Sequence, residues 1–258
     1  MGSLSGIRIT GHIAAIVVVR QTSPGLFDPE RFCGTGFLMA AGLLVTCWHC
    51  VRDEIPAGCM YAAVLQKESG EVSVVPLKNI SRDTASQADL ATANLSWSPK
   101  PMLRLASHGV PAGTAVFAVG HAQTEVTRGS TGGLVLRFQP QFLQGYVTRD
   151  LRFTHPLDGE VLSYELDMPT PPGLSGAPLV RVGTTEVLGV IYGTNDYERT
   201  VQFAHVDEVT RERQPDIIRV VSFGLAHHTI TLRRLAGIAT KGRPLWEYLR
   251  APLRQGVG

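Results

Sequence analysis

No part of this chain is apolar for long enough to cross a membrane as a helix. The longest such stretch, Ile13 to Val19, is seven residues, whereas a bilayer core needs about 20. No small-residue cleavage site follows it, so a secretory leader is not expected; a cytoplasmic location without membrane contact is. Charge is scarce as well. Asp, Glu, Lys and Arg make up 18% of the 258 residues and the net charge is +2, too little for the chain as a whole to attract nucleic acid by its field. The charge is also uneven, with 7 basic and 2 acidic residues after position 213 (net +5) and 17 basic and 20 acidic up to it (net −3). That basic stretch contains no nucleic-acid motif, and no nucleic-acid partner is expected. Gly129 to Gly133 is a loop rather than a nucleotide site, because no Lys-Ser or Lys-Thr follows it. Repeats and low-complexity tracts are lacking. There are only four cysteines, Cys33, Cys47, Cys50 and Cys59, and in a cytosol they remain thiols.

What the chain does contain is apolar sequence in short pieces. Hydrophobic residues are 44% of it, enough for one or two substantial cores. They fall in Ile13–Val19, Gly36–Met39, Leu43–Thr46, Val72–Leu77, Thr114–Val119, Gly133–Phe138 and Val187–Tyr192, separated by Gly, Pro and polar residues. This rhythm predicts an all-β protein.

Within it, Pro171-Pro172-Gly173-Leu174-Ser175-Gly176-Ala177-Pro178-Leu179-Val180 sets one serine between glycines at a tight turn that enters an apolar strand. Glycine has no Cβ and permits turns in which backbone N–H groups converge. Such donors stabilise the oxyanion of a tetrahedral intermediate by about 3–4 kcal/mol each, and those of Gly173 and Ser175 are the candidates. A nucleophilic serine needs a base. His49 is the candidate, in Gly34-Thr35-Gly36-Phe37-Leu38 followed by Leu44-Val45-Thr46-Cys47-Trp48-His49-Cys50-Val51.

These motifs, in this order, resemble the chymotrypsin-like (trypsin-fold) serine peptidases, and further strand matches extend the resemblance over about residues 12–213. The family order is histidine, aspartate, serine. The resemblance therefore implies His49 as general base, Ser175 as nucleophile and an aspartate between them that holds the histidine tautomer. Asp89, in Asp89-Leu90-Ala91, fits the family pattern better than Asp83 in the polar loop before it. The apolar pair that normally follows reads Thr92-Ala93 here, which keeps Asp83 as the alternative.

The resemblance implies two six-stranded antiparallel β-barrels, about residues 9–105 and 113–206, joined by Ser107–Gly113 with the active site in the cleft between them. Residues 1–213 are then the peptidase domain, with Asp207–Arg213 as its C-terminal helix. Residues 214–258 are a basic C-terminal extension in which Pro244–Gln255 has helical spacing. The strand through Ile191, Tyr192 and Gly193 is implied to hydrogen-bond an extended peptide substrate. Pro169 stands where specificity for Lys or Arg would need an acid, and Gly193 leaves the pocket wall open. With Thr170, Val201, Phe203 and His205 as possible lining, an uncharged or apolar residue before the cut bond is expected; His205 carries the alternative of an acidic preference.

Three departures bear on mechanism. Leu174 replaces the aspartate that receives a new N-terminus in trypsin-like zymogens, so the look of an activation site at Arg8-Ile9-Thr10-Gly11 is read as chance. Trp48 stands where the family usually has alanine, so the packing behind His49 must differ. Cys33 and Cys50 lie near the positions of a disulfide in secreted relatives. A zinc site of Cys47-x-x-Cys50 with the other two cysteines would have to gather around His49; neither metal nor cofactor is expected. Leu-Val-Thr-Cys-Trp-His also resembles the variant of bacterial trypsin-like domains linked to signalling or defence NTPases. The reading is a serine endopeptidase working through an acyl-enzyme in a bacterial cell, controlled by a regulatory protein or adjacent signalling module. The alternative is a catalytically silent protease-fold binding module, which the presence of His49, Asp89 and Ser175 argues against.

Overall fold

In the first strand, β1 (Ile13–Ser23), an unbroken apolar run is sorted by the period of two that strands impose. Ile16 and Val18 enter one core, whereas Ala15, Val17 and Val19 enter a second cluster with Ala62 and Val64. The strand is covered on both faces, which is why its sequence does not alternate. The computed structural model describes residues 9–66, 70–86, 88–97, 102–128, 134–137, 140–155, 159–202 and 217–251.

The other strands of the first sheet are β2 (Leu26–Ala40), β3 (Leu43–Thr46), β4 (Cys59–Gln66), β5 (Val72–Pro76), β6 (Lys78–Arg82) and β7 (Ala91–Asn94), in the order β5-β4-β1-β2-β3-β7-β6. Leu77 alone separates β5 from β6. One bent strand therefore pairs with β4 at one edge and with β7 at the other, joining the two edges, so that seven segments make six strands.

The second sheet contains β8 (Arg104–Leu105), β9 (Ala115–Gly120), β12 (Gln141–His155), β13 (Gly159–Leu166), β14 (Pro178–Arg181), β15 (Glu186–Gln202) and β16 (Ile217–His227); β10 (Glu125–Arg128) and β11 (Leu134–Arg137) form a separate hairpin. Its order is β14-β9-β12-β13-β16-β15-β8, and pairing of β14 with β15 closes six of these strands into a barrel. The expected all-β, two-barrel architecture is the one observed.

Two boundaries differ. Arg104 and Leu105, expected in the first barrel, pair in parallel with Glu186 and Val187 of the second. Residues 217–227, expected in an extension, form a barrel strand between β13 and β15. Ile217-Ile218-Arg219-Val220-Val221 is a β-branched run with one arginine that pairs with the end of β15; Gly224–His227 pair with Ser163–Leu166 of β13, about sixty residues upstream, where local periodicity does not reach. Asp207–Arg213 lies outside the described residues. The chain then turns back: α1 (Thr229–Arg234) and α2 (Leu245–Arg250) send Leu232, Leu235 and Leu245 into the first core. Asp83 anchors this return, accepting from the N–H groups of Ala85 (3.0 Å), Ser86 (3.2 Å) and Ala236 (3.1 Å). It is 2% exposed and serves as a loop tie.

Apolar residues of the second sheet, Phe117, Val119, Val180, Val187 and Val190, belong to the same cluster as the first core. The polar joint between the sheets is Thr35 of β2, which is wholly buried. Its N–H donates to the Ser175 carbonyl (2.8 Å) and its hydroxyl to the Gly173 carbonyl (2.7 Å), while His121 N–H donates to that hydroxyl (2.9 Å). Thr46 Oγ1 donates to the Thr35 carbonyl (2.6 Å). Replacing Thr35 by isosteric valine strands the Gly173 carbonyl and the His121 N–H, a loss of about 1–3 kcal/mol. Urea unfolding should show that loss for Thr35→Val and little change for Thr35→Ser.

Candidate active site

His49 sits in the 3-10 turn Trp48–Cys50, which follows directly from β3. β3 pairs with β7, and this pairing brings the segment before β7, with Asp89, alongside the turn. Trp48 N–H donates to the Asp89 main-chain carbonyl (3.2 Å) and His49 N–H to Asp89 Oδ1 (2.9 Å). His49 Nδ1 lies 2.5 Å from Asp89 Oδ2. The Asp89 hydrogen bond and then the Cys50 thiol raise the His49 pKa to about 10, against the opposing effect of burial. Burial pushes the Asp89 carboxyl up, but its bonds to His49 outweigh that and leave its pKa lowered. Asp83, tied into its own loop, makes no such contact. The Trp48 indole packs half-buried against the first core.

The turn also touches the second barrel. Cys47 Sγ donates to the Ile191 carbonyl (3.2 Å) and Cys50 Sγ to the Ser175 carbonyl (3.6 Å). The turn that carries His49 and the loop that carries Ser175 thus touch across the two sheets. Ser175 Oγ donates to the Tyr192 carbonyl at 3.4 Å; among the described residues it has no hydrogen bond to His49. Gly176, at φ +88°, can only be glycine, since a Cβ would collide with the Thr35 carbonyl and the Thr46 hydroxyl. Gly173, at φ +92°, is equally confined: a Cβ would stand 2.8 Å from the Phe32 ring and 2.9 Å from the His121 carbonyl.

The loop around Ser175 spends its N–H groups unequally. Leu174 donates to Pro171, Gly176 to Ile191 and Ala177 to Leu174, whereas the N–H groups of Gly173 and Ser175 have no acceptor among the described residues. Gln123 N–H donates to the Pro172 carbonyl (3.0 Å). Because a trans peptide sets its N–H opposite its carbonyl, this bond turns the Gly173 N–H the other way. Leu174 is wholly buried in the second core and Ile9 is 3% exposed in the first, so apolar packing occupies both ends of what would be a zymogen ion pair.

Substrate-binding expectations are partly revised. Ile191 is wholly buried and spends both main-chain groups internally, its N–H on Ala177 (2.9 Å) and its carbonyl on Gly176 (2.8 Å). It has none left for a peptide; an irregularity between Ile191 and Gly193 shifts the outward-facing groups along the strand. Tyr192 presents its carbonyl to Ser175. Gly193 leaves open space on its side-chain side, where a Cβ would meet nothing within 4 Å; its carbonyl accepts from Thr170 Oγ1 (2.5 Å), and Thr194 Oγ1 donates to the Thr170 carbonyl (3.0 Å). Pro169 is exposed beside this bridge. Val201 is a residue of β15, while Phe203 and His205 lie outside the described residues.

Three participants escaped the sequence reading. Thr194 adjoins a quoted motif and Gln123 carries no signal at all. His227 of β16 stacks on Tyr192 at 4.3 Å, and neither ring nitrogen has a hydrogen-bond partner among the described residues. Burial lowers its pKa to about 4 even with the Asp89 carboxylate pulling the other way, so it is a neutral wall. The four cysteines are free thiols. They do not gather: Cys47 instead has its ligand atom within 4.8 Å of those of His49 and Asp89. That set suits a cation poorly, since burial holds the Cys47 thiol well above its ordinary pKa and His49 and Asp89 are bonded to each other.

Solved structures with this architecture are proteases of low identity. The active form of the Rv3671c protease from M. tuberculosis is 15% identical over 85% of this chain and 77% of its own, with a TM-score of 0.52. The MamO protease domain from Magnetospirillum magneticum is 17% identical over 86% and 94%, with a TM-score of 0.52. The HtrA-type protease AlgW, solved with a decapeptide, is 16% identical over 87% of this chain and 62% of its own, with a TM-score of 0.51. A search of curated protein sequences finds no match. The family model of the trypsin-like peptidase domain matches residues 34–190, a span from the glycine before Thr35 to the strand beside Tyr192, and the chain belongs to that family.

Proposed function

We propose that the protein is a serine endopeptidase in which His49, Asp89 and Ser175 form the catalytic triad. The observation that carries this reading is the convergence of the 2.5 Å His49–Asp89 pair with a serine whose loop keeps two N–H groups free. Rotation about the Ser175 Cα–Cβ bond moves Oγ from the Tyr192 carbonyl toward His49 Nε2; such contacts are often unformed before substrate binds. His49 takes the Ser175 proton as Oγ attacks the peptide carbonyl, and the N–H groups of Gly173 and Ser175 receive the oxyanion. Asp89 stabilises the imidazolium. The C–N bond then breaks, the leaving amine takes the proton from His49, and water, deprotonated by the same imidazole, releases the acyl group from Ser175. Leu174, buried in the core, supports competence without N-terminal cleavage. The decapeptide seen with AlgW supports a peptide as substrate.

Specificity follows from the wall at Gly193, which carries no side chain and faces open space, beside the Thr170–Thr194 hydrogen bonds that hold the two segments together. Uncharged side chains suit it, because a buried cation without a partner is costly. Control by a regulatory protein or an adjacent module remains part of the proposal, resting on the resemblance of the His49 motif.

A fluorophosphonate probe should label Ser175, and Ser175→Ala should lose labelling and about 10⁶-fold in turnover. Absence of labelling in the unaltered chain, with peptide binding retained, would instead indicate a silent binding module.

Only neutral His49 can accept a proton, and a raised pKa keeps it protonated to higher pH. The rising limb of kcat/KM should therefore lie alkaline of the ordinary imidazole value of about 6.5. Asp89→Asn should move the limb to lower pH and reduce kcat by about 10⁴-fold.

Peptide-library profiling should find Leu, Val, Ala or Met favoured before the cut bond. Gly193→Val should fill the open wall and shift preference away from Leu and Met toward Ala by about tenfold, since burying a large apolar side chain is worth about 1.5–3 kcal/mol. Dominant cleavage after Lys or Arg would refute this reading, as would cleavage after Glu that His205→Ala removes.

A further inference from the structure

β8 is the last strand of the second sheet, and its outer edge is unpaired among the described residues. Arg104 N–H donates to the Thr185 carbonyl (2.9 Å) and Ala106 N–H to that of Val187 (3.0 Å). In this parallel pairing the N–H and C=O of Leu105 point to the opposite edge. Against that edge, α2 and the end of β2 enclose a cavity of about 350 Å³ whose apolar wall includes Met39, Leu105 and Leu249. A second cavity of about 340 Å³ adjoins it, with Ser107, Arg233 and Trp246 common to both. Two guanidinium groups lie over the Trp246 ring, Arg250 at 5.3 Å and Arg233 at 5.8 Å from its centre. Arg104 is exposed at the rim. No Asp or Glu lines either cavity among the described residues, and none of the lining residues belongs to the catalytic cleft.

We propose that this groove docks an extended acidic segment of a partner protein. The segment adds to the outer edge of β8 as a further strand, seats one apolar side chain beside Leu249, and places flanking carboxylates on Arg104, Arg233 and Arg250. An unpaired edge is a template for strand addition, in which main-chain bonds supply affinity and a pocket supplies selectivity. Cations with no opposing acid, set on aromatic and aliphatic walls, complement a chain that is acidic and apolar by turns. The competing occupant is the chain's own residues 252–258, which contain Arg254 and no acid; charge argues against it. Docking here leaves the cleft open, so the surface suits a protein that recruits or controls the enzyme rather than one that is cut.

The test uses the full chain carrying Ser175→Ala, so that binding is read without turnover and does not depend on the peptidase reading. The probes are a fluorescein-labelled decapeptide with a central Leu flanked by Glu and Ser, and a twin with Lys for Glu. Anisotropy titration should show saturable binding of the acidic probe, weakened by salt, and none of the lysine twin. The double variant Arg104→Glu, Arg250→Glu alters two exposed side chains, and a thermal melt confirms its fold. It should weaken the acidic probe by about tenfold or more and make the lysine twin the better ligand. The proposal is overturned if the acidic probe does not saturate the protein, or if the folded double variant binds it unchanged. It also fails if removing residues 252–258 strengthens both probes alike, which would assign the groove to the chain's own tail.

Discussion

The geometry of the cleft rests on a cross-sheet joint at Thr35. Burial of Phe117, Val119 and Val180 against the first core brings the two sheets together, but the hydrophobic effect has no direction and does not fix register. Hydrogen bonds do. Thr35 binds the Ser175 loop on both sides of Leu174, at the carbonyls of Gly173 and Ser175, and through Thr46 it is linked to the strand that ends at the His49 turn. A buried carbonyl or N–H left without a partner costs more than the net gain of a bond made. These contacts therefore hold as a set, and the set defines where Ser175 stands relative to His49.

Around that joint the charge is confined to one pair. His49 and Asp89 hold each other, while their neighbours are neutral: His227 is kept uncharged by burial, the Cys47 thiol is kept protonated, and Tyr192 lies stacked on His227. The Asp89 carboxylate is directed to Nδ1 of His49. Leu174 and Ile9 carry this economy further. Where a zymogen would form a buried ion pair, apolar side chains fill the two cores, and the Ser175 loop is shaped by packing and by the Gln123 bond to Pro172 rather than by a charge.

The C-terminal fifth of the chain binds both halves together. β16 closes the second barrel and supplies His227, and the turns after α1 meet the first sheet through Asp83 and through Ile238 N–H on Ser81 Oγ (2.8 Å). Cutting this segment away would open the barrel and uncover the first core, so it is part of the folding unit and at the same time builds the cationic groove.

Residues that act through local geometry were legible in the sequence. Ser175 between glycines needed only the φ values that glycine permits, and His49 at the end of an apolar strand needed only a short turn; both motifs are contiguous, as is the short-strand rhythm of an all-β chain. Asp89 was read as the better of two choices, and the β3–β7 pairing sets it, rather than Asp83, beside His49. Tertiary structure alone decided what depends on residues far apart. Ile191 lost its expected role because Gly176 and Ala177 use its main chain, and residues 224–227 became part of a barrel strand because partners about sixty residues upstream await them. A period of two shows which side chains share a face. It does not show which neighbour each main-chain group will find, because that is set only when the sheets close.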